Sequence, residues 1–139
     1  MSAHTSRTLK ELKAMGRFCG MVEKFNQYAG PHGRRFDLFG FIDIIALDLT
    51  KGVVAVQSFG ASFSAHYQKV TQDKAISRAA IRWLLTPGTS LEFWGWKKKK
   101  VTRGGKAVVW TSRVQEITLD DFDPSVVRGE FMWWRLESS

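Results

Sequence analysis

The chain has 139 residues, of which 44% are hydrophobic and 24% are charged. This length and balance predict one folded domain, residues 1–139, and exclude a wholly disordered chain. Its 21 Lys and Arg residues outnumber 13 Asp and Glu residues, so the formal charge at pH 7 is +8. Because neutralising phosphates releases condensed counterions, a domain this basic is expected to bind polyanions, and nucleic acid is the leading expected partner.

Membrane and secreted classes fit the sequence poorly. The longest apolar runs have about seven residues, whereas a membrane-spanning helix needs about 20. The first residues lack the apolar segment of a secretory signal. A single cysteine, Cys19, cannot form an intrachain disulfide. We therefore expect no membrane partner and a reducing, cytoplasmic location.

The N-terminal region has the apolar spacing of an amphipathic helix. Residues spaced by three and four predict a helix over residues 8–28, and they are Leu12, Met15, Phe18, Cys19, Val22 and Phe25. Thr8 and Glu11 have the spacing of a capping box at its start. Glu23 falls on the edge of the apolar stripe and is either a solvated carboxylate or a site residue.

Three β-rich stretches follow, at residues 34–39, 41–47 and 53–58, and they predict a three-strand antiparallel meander. Asp43 lies within the apolar run of the second stretch, and Gln57 lies near the end of the third. The two residues are 14 positions apart, which is a hairpin spacing that can make them cross-strand neighbours.

A second helix is predicted over residues 60–85, because Thr86, Pro87 and Gly88 end the pattern. On this helix Lys69 falls on the stripe that faces the core. Residues 90–96 and 107–114 predict a late β-hairpin with a Gly104–Gly105 turn. The hairpin carries Lys97, Lys98, Lys99, Lys100, Arg103 and Lys106.

The predicted fold class is therefore α/β, with a mixed sheet flanked by helices. The predicted core covers about residues 8–117. The tail, residues 118–139, reads as a loop followed by a further strand or a short helix.

The polar residues Asp43, Gln57 and Lys69 suggest a shared site, because the predicted fold can bring them together. Mg²⁺ prefers oxygen ligands, usually one or two carboxylates with phosphate and water. A nearby lysine can offset charge that develops on a phosphodiester. The histidines and the lone cysteine do not form a zinc set.

The order of elements and four short motifs resemble the PD-(D/E)XK nuclease superfamily, which has a restriction-endonuclease-like core. The likeness is greatest to small phage endonucleases of the Holliday-junction-resolvase type, and it covers about residues 23–114. The motifs are Asp37-Leu38-Phe39-Gly40-Phe41-Ile42-Asp43, Val56-Gln57-Ser58-Phe59, Gln68-Lys69-Val70 and Gly95-Trp96-Lys97-Lys98.

This resemblance implies a prokaryotic or phage-infected host and a nuclease that uses Mg²⁺ or Mn²⁺. It implies that Asp43 binds the metal with Gln57 and the backbone carbonyl of Ser58. It further implies that Glu23 is the helix carboxylate of some members, and Lys69 is the candidate for the catalytic lysine. Two departures are that Gln57 is neutral and that Phe59 occupies the position of the motif lysine.

The resemblance also implies a DNA substrate, double-stranded or branched, bound by Arg34, Arg35 and the basic hairpin. A homodimer would suit a junction with two-fold symmetry. Trp94 and Trp96 could belong to the core or stack on bases.

Alternative readings stay open for each part of the site. Asp43 could be a structural carboxylate that accepts hydrogen bonds from the backbone or from Arg35. Gln57 could be an ordinary polar residue at a strand end, and Lys69 could extend to solvent. The chain could then be an inactive DNA-binding protein on the same fold, or a phage structural protein whose charge confers only solubility.

Overall fold

The structure is a computed structural model that describes residues 2–138, with the backbone alone for 137 and 138. The helices described are α1 (Ala3–Ala14), α2 (Phe63–Gln72), α3 (Lys74–Leu85) and α4 (Pro124–Ser138). The strands described are β1 (Phe18–Met21), β2 (Lys24–Asn26), β3 (Arg34–Phe36), β4 (Ile44–Asp48), β5 (Gly52–Phe59), β6 (Thr89–Lys100) and β7 (Val108–Ile117).

Five strands form one mixed sheet in the order β1-β4-β5-β6-β7, and β2 pairs with β3 in a separate ribbon. Within the sheet β5 and β6 run parallel, and the other neighbouring pairs are antiparallel. The connection between β5 and β6 contains α2 and α3, as a parallel pair requires a long crossover. The predicted mixed α/β domain is confirmed.

Helices cover both faces of this sheet. The larger core includes Phe41, Ala55 and Phe93 together with side chains from α2 and α3. On the other face Leu12 of α1 packs with Val54, Val56 and the two tryptophans of β6. The core extends past the predicted limits, since Phe122 is buried within it.

The first predicted helix is wrong after Ala14. Ser2, not Thr8, caps α1, because its side chain accepts the N–H of Thr5. Gly16 then adopts a left-handed φ of 85° and turns the chain. Residues 18–21 pair with β4 instead of continuing the helix. The apolar residues at intervals of three and four are typical of a helix, but they do not exclude a strand. Residues 18–21 form one because β4 supplies their hydrogen bonds.

The antiparallel three-strand unit has a different first member from the predicted one. Residues 34–36 form β3, which pairs with β2, and β1 takes the place beside β4. The β4–β5 hairpin is confirmed, with Ile44 opposite Val56. The strand predicted over residues 34–39 is therefore confirmed for residues 34–36. Its predicted pairing with the next strand of the meander is wrong.

The predicted helix over 60–85 is divided at Asp73. The Asp73 side chain accepts the N–H groups of Ala75 and Ile76 and so starts α3. The backbone is extended at Asp73, so α2 and α3 are separate helices that do not share one buried stripe. Helix α2 buries Val70 and Thr71. The prediction that Lys69 faces the core is wrong, because Lys69 is exposed.

The late basic hairpin is confirmed, although Lys97–Lys100 belong to the strand β6 and not to its turn. They lie opposite residues 108–111 of β7, and Gly104 supplies the turn with a φ of 77°. Trp94 and Trp96 are buried against α1, where Trp96 Nε1 donates to Thr8 Oγ1 at 2.8 Å. They are core residues and cannot stack on bases.

A buried ion-pair network joins the sheet to the turn after α1. Arg17 donates to both carboxylate oxygens of Glu92, at 2.7 and 3.0 Å, and to Asp48 Oδ2 at 2.8 Å. Lys51 reaches Glu92 from the surface at 3.1 Å. No sequence pattern predicted this network, because its members are remote along the chain.

The tail forms a short 3-10 helix at Leu119–Asp121 and then α4. Glu130 is buried and pairs with Arg78 and Arg82 of α3, which fixes α4 against the domain. The longest helix, α4, has 15 residues. Among the described residues, no helix combines the length and the apolar character that crossing a membrane requires.

Candidate metal centre and nucleic-acid surface

Three carboxylates converge at one end of the sheet. One oxygen from each of Glu23, Asp37 and Asp43 lies within 4.8 Å of the other two. Glu23 stands between β1 and β2, Asp37 follows β3, and Asp43 precedes β4. The structure therefore brings together two predicted site residues, Glu23 and Asp43, and a third carboxylate, Asp37, to which the sequence analysis assigned no role.

Local turns explain why the carboxylates meet. A bridge between Leu38 and Ile42 closes a tight loop in which Phe39 and Gly40 have left-handed φ values of 57° and 84°. Asp37 and Asp43 flank this loop and so return to the same place. The N–H of Val22 donates to the backbone oxygen of Asp43 at 2.9 Å, which positions the neighbouring Glu23.

Asp43 is the buried member, with 4% of its surface exposed. Burial, a hydrogen bond with Asp37 and the charges of Asp37 and Glu23 raise the pKa of Asp43 to about 9, although the Ser58 N–H opposes the shift. That N–H donates to Asp43 Oδ2 at 2.8 Å. Without a cation, Asp43 therefore holds a proton at pH 7.

A pH-dependent stability follows from this proton. An unfolded aspartate has a pKa near 4, so unfolding between about pH 4 and pH 9 releases the proton of Asp43. Stability is therefore lost as the pH rises through this range. We expect Asp43→Asn, which imitates the protonated form, to melt above the wild type at pH 8 in chelator and to lose this advantage near pH 4.

Thermal melts at both pH values measure the effect. Asp120→Asn is the matched control, because Asp120 is an exposed aspartate outside the cluster. If Asp43→Asn raised the melting temperature equally at pH 4 and pH 8, the result would contradict the assignment of a proton to Asp43.

Gln57 is also buried, with 3% of its surface exposed, and its Oε1 atom has no hydrogen-bond partner among the described residues. Asp43 contacts both neighbours of Gln57, since its own N–H donates to the Val56 oxygen at 3.0 Å and its side chain binds the Ser58 N–H. An unsatisfied buried amide oxygen is costly, and it is a suitable ligand for a hard cation.

Arg35 contacts Glu23 and not Asp43. The distance from Arg35 Nη1 to Glu23 Oε1 is 3.6 Å. The alternative in which Arg35 holds Asp43 is therefore wrong, whereas the alternative of a backbone hydrogen bond to Asp43 is confirmed by Ser58. Ser58 contacts the cluster through its N–H, and its hydroxyl is 2.7 Å from Thr8 Oγ1.

Phe59, at the position of the motif lysine, is buried and stacks on His66 with ring centroids 4.3 Å apart. His66 Nδ1 is buried and has no partner in the described structure. Burial and the charge of Lys69 lower the pKa of His66, and the charge of Asp37 opposes them. Among residues 2–136, Lys69 forms no ion pair with any of the three carboxylates. It lies near His66, whose pKa also responds to the charge of Asp37.

A basic groove of about 730 Å³ lies on the other side of β5. It is lined by the start of α2 and by the β6–β7 hairpin, including residues 97–100 and Arg113. Phe59 of β5 pairs with Gly95 of β6, so the groove begins where β5 ends. The lysines of the groove lie beyond the acidic cluster along the sheet, since Lys97 stands four residues past Phe93, the β6 residue that pairs with Gln57, a distance of about 13 Å along the strand.

Further cations surround the hairpin. Arg7 of α1 lies 3.9 Å above the Trp110 ring, and Lys98 Nζ is 5.3 Å from that ring. Arg113 lies 3.8 Å from the centre of the Phe63 ring. Arg7 and Arg113 were not among the predicted DNA-binding residues, because only the sheet brings them next to the lysine run.

Asp37 and His66 are the other site residues that sequence reasoning missed. Asp37 had a usable signal, since two aspartates flanking a loop with Gly40 can face each other. His66 had none, because its place depends on stacking against Phe59. Comparisons of the chain with protein-family models, curated proteins and solved structures found no match.

Proposed function

We propose that this protein is a metal-dependent endonuclease that hydrolyses phosphodiester bonds in DNA, with branched or junction DNA as its substrate class. The observation that carries the proposal is the convergence of Glu23, Asp37 and Asp43 within 4.8 Å. Three carboxylates so close repel each other, and one of them keeps a proton unless a cation is present. A cation would relieve both the repulsion and the raised pKa.

The donor set fits Mg²⁺ or Mn²⁺. The 4.8 Å spread is close to the roughly 4.2 Å that separates opposite ligands of one Mg²⁺. Glu23, Asp37 and Asp43 would hold the ion, and the unsatisfied Gln57 Oε1 is a further ligand of the same kind. A bound divalent ion would supply a water of lowered pKa and neutralise charge on the phosphodiester.

The other residues of the site would position the substrate. Arg35 is half exposed beside Glu23 and can contact a phosphate without leaving the ion pair. Lys69, exposed on α2, is the candidate for offsetting charge in the transition state. The basic groove would hold phosphates of the same DNA at a distance from the scissile one.

The substrate class, a homodimer and an intracellular, prokaryotic or phage-infected setting rest on the family resemblance. A dimer would present two such centres to a two-fold symmetric junction. Sedimentation of the protein with and without junction DNA measures its oligomeric state directly.

A second candidate is a DNA-binding protein on this fold that does not cut. Buried Phe59 at the lysine position and the neutral Gln57 favour it. The acidic cluster and the basic groove are common to both candidates. The two candidates differ only in whether the acidic cluster catalyses cleavage of the bound DNA.

Incubation of the purified protein with linear and branched DNA, in Mg²⁺, Mn²⁺ or chelator, separates the candidates. We expect cleavage with either metal and none in chelator. We also expect the ion alone to raise the melting temperature, since a ligand at 100 times its Kd adds about 2.7 kcal/mol. Uncut but shifted DNA would support the second candidate, and no DNA affinity at low salt would contradict both.

A further inference from the structure

The segment between two of the three carboxylates forms an arm that stands apart from the main sheet. This β2–β3 arm, residues 24–36, begins directly after Glu23 and ends directly before Asp37. Its strands pair only with each other. The arm has three permanent cations, Lys24, Arg34 and Arg35, and no acidic residue. Any molecule bound to the arm is therefore held next to the acidic cluster.

The arm exposes three aromatic rings. The exposed fractions are 60% for Phe25, 86% for Tyr28 and 46% for Phe36. They border a cavity of about 490 Å³, whose lining also includes Lys24, Asn26 and Gln27. Single exposed rings are common, but three rings around one cavity form a patch of the kind that marks a binding surface.

Local contacts shape the backbone of the arm and the Phe25 and Phe36 rings before any ligand binds. The Asn26 side chain accepts the N–H of Tyr28 at 3.0 Å, which fixes the turn that presents Tyr28. Gly33 has a left-handed φ of 78°, and a side chain there would collide with the Phe25 ring. The Arg34 guanidinium lies 5.9 Å from the centre of the Phe36 ring. The backbone that carries the rings is therefore ordered before binding, which lowers the entropy cost of binding.

We infer that the β2–β3 arm binds an unpaired nucleotide of the substrate, with the base stacked on Tyr28 and its neighbouring rings. Lys24 and Arg34 contact the phosphates of that nucleotide. Aromatic rings interleaved with cations form the usual binding platform for single-stranded nucleic acid. This inference rests on the proposed function, and it gives the preference for branched DNA a physical cause, because branch points expose unpaired bases.

The charge of the arm argues against a second copy of the chain as its occupant. In a two-fold symmetric dimer the same patch meets itself. Lys24 and Arg34 would then face their own copies, with no carboxylate on the arm to compensate them, since Glu23 pairs with Arg35. A polyanion with flat rings matches both features of the patch.

Binding of two DNA molecules in chelator tests the inference. One is a duplex, and the other is the same duplex with three unpaired nucleotides that contain 2-aminopurine. We expect the wild type to bind the second more tightly and to quench its fluorescence. Tyr28→Ala should weaken binding of the unpaired form about tenfold and leave duplex binding within twofold. Tyr28→Phe should retain the affinity.

Leu49→Ala is the matched control, since Leu49 is a fully exposed apolar residue beyond the other end of β4. It should change neither affinity. Equal binding of both DNAs by the wild type would overturn the arm's role and leave the proposed nuclease standing. Absence of all DNA binding would overturn both. A Tyr28→Ala variant that changes the oligomeric state and no DNA affinity would instead assign the patch to a protein contact.

Discussion

Asp43→Asn is expected to reduce metal-dependent DNA cleavage at least about 1,000-fold. Asp43 is the buried member of the acidic cluster, and asparagine keeps its volume while removing the carboxylate that would bind the proposed metal ion. Charge stabilisation by a metal is worth several kcal/mol, and each 1.4 kcal/mol is a factor of ten in rate. Single-turnover rates in Mn²⁺ and Mg²⁺ measure the loss.

DNA affinity in chelator separates this effect from misfolding or lost binding. Because Asp43 is protonated at pH 7 without a cation, Asp43→Asn leaves the charge of the free protein unchanged. Its DNA affinity should therefore match that of the wild type. Asp120→Asn should keep full cleavage activity. A metal-dependent activity that survives in Asp43→Asn would place the metal centre elsewhere.

Arg17→Ala is expected to lower the free energy of unfolding by about 3–5 kcal/mol, the cost of removing one partner of a buried ion pair. Arg17 holds both oxygens of buried Glu92 and one oxygen of Asp48. For a domain of this size the melting temperature should fall by about 10–20 °C. Chemical denaturation and thermal melts give the two numbers.

Lys51→Ala is the control, since Lys51 binds the same carboxylate from an exposed position. Exposed pairs contribute about 1 kcal/mol or less, so this change should be small. The double variant Arg17→Met, Glu92→Met should be more stable than Arg17→Met alone, because it also removes the buried carboxylate that has lost its buried partner. Equal losses for Arg17→Ala and Lys51→Ala would contradict the network as the main contributor.

Acid should remove the contribution of Arg17. Burial alone would raise the pKa of Glu92, but hydrogen bonds from Arg17, Trp94 and Lys51 outweigh it and lower that pKa. Hydrogen bonds from Thr50, Lys51 and Arg17 lower the pKa of Asp48. Stability gained from lowered carboxylate pKa values is present above about pH 4 and is lost below it. The difference in the free energy of unfolding between the wild type and Arg17→Ala should therefore become smaller below about pH 4.

The sequence predicted the features that neighbouring residues decide. The apolar runs around Thr50 predicted the β4–β5 hairpin, and Gly104–Gly105 predicted the turn of the basic hairpin. Asp43 was recognised because a carboxylate within an apolar run is conspicuous. Each of these signals is contained in a few consecutive residues, and local backbone preferences are sufficient to specify them.

Tertiary structure decided where the chain left its local pattern. Residues 18–21 have helical spacing but bond to β4, and the break at Asp73 directs Lys69 to solvent. Glu23 reaches Asp37 and Asp43 only because the β2–β3 arm folds back between Glu23 and Asp37. Spacing along the chain records which side chains can share a face. Hydrogen bonds and packing between distant segments select the pairing, and so they alone brought Glu23 into the acidic cluster.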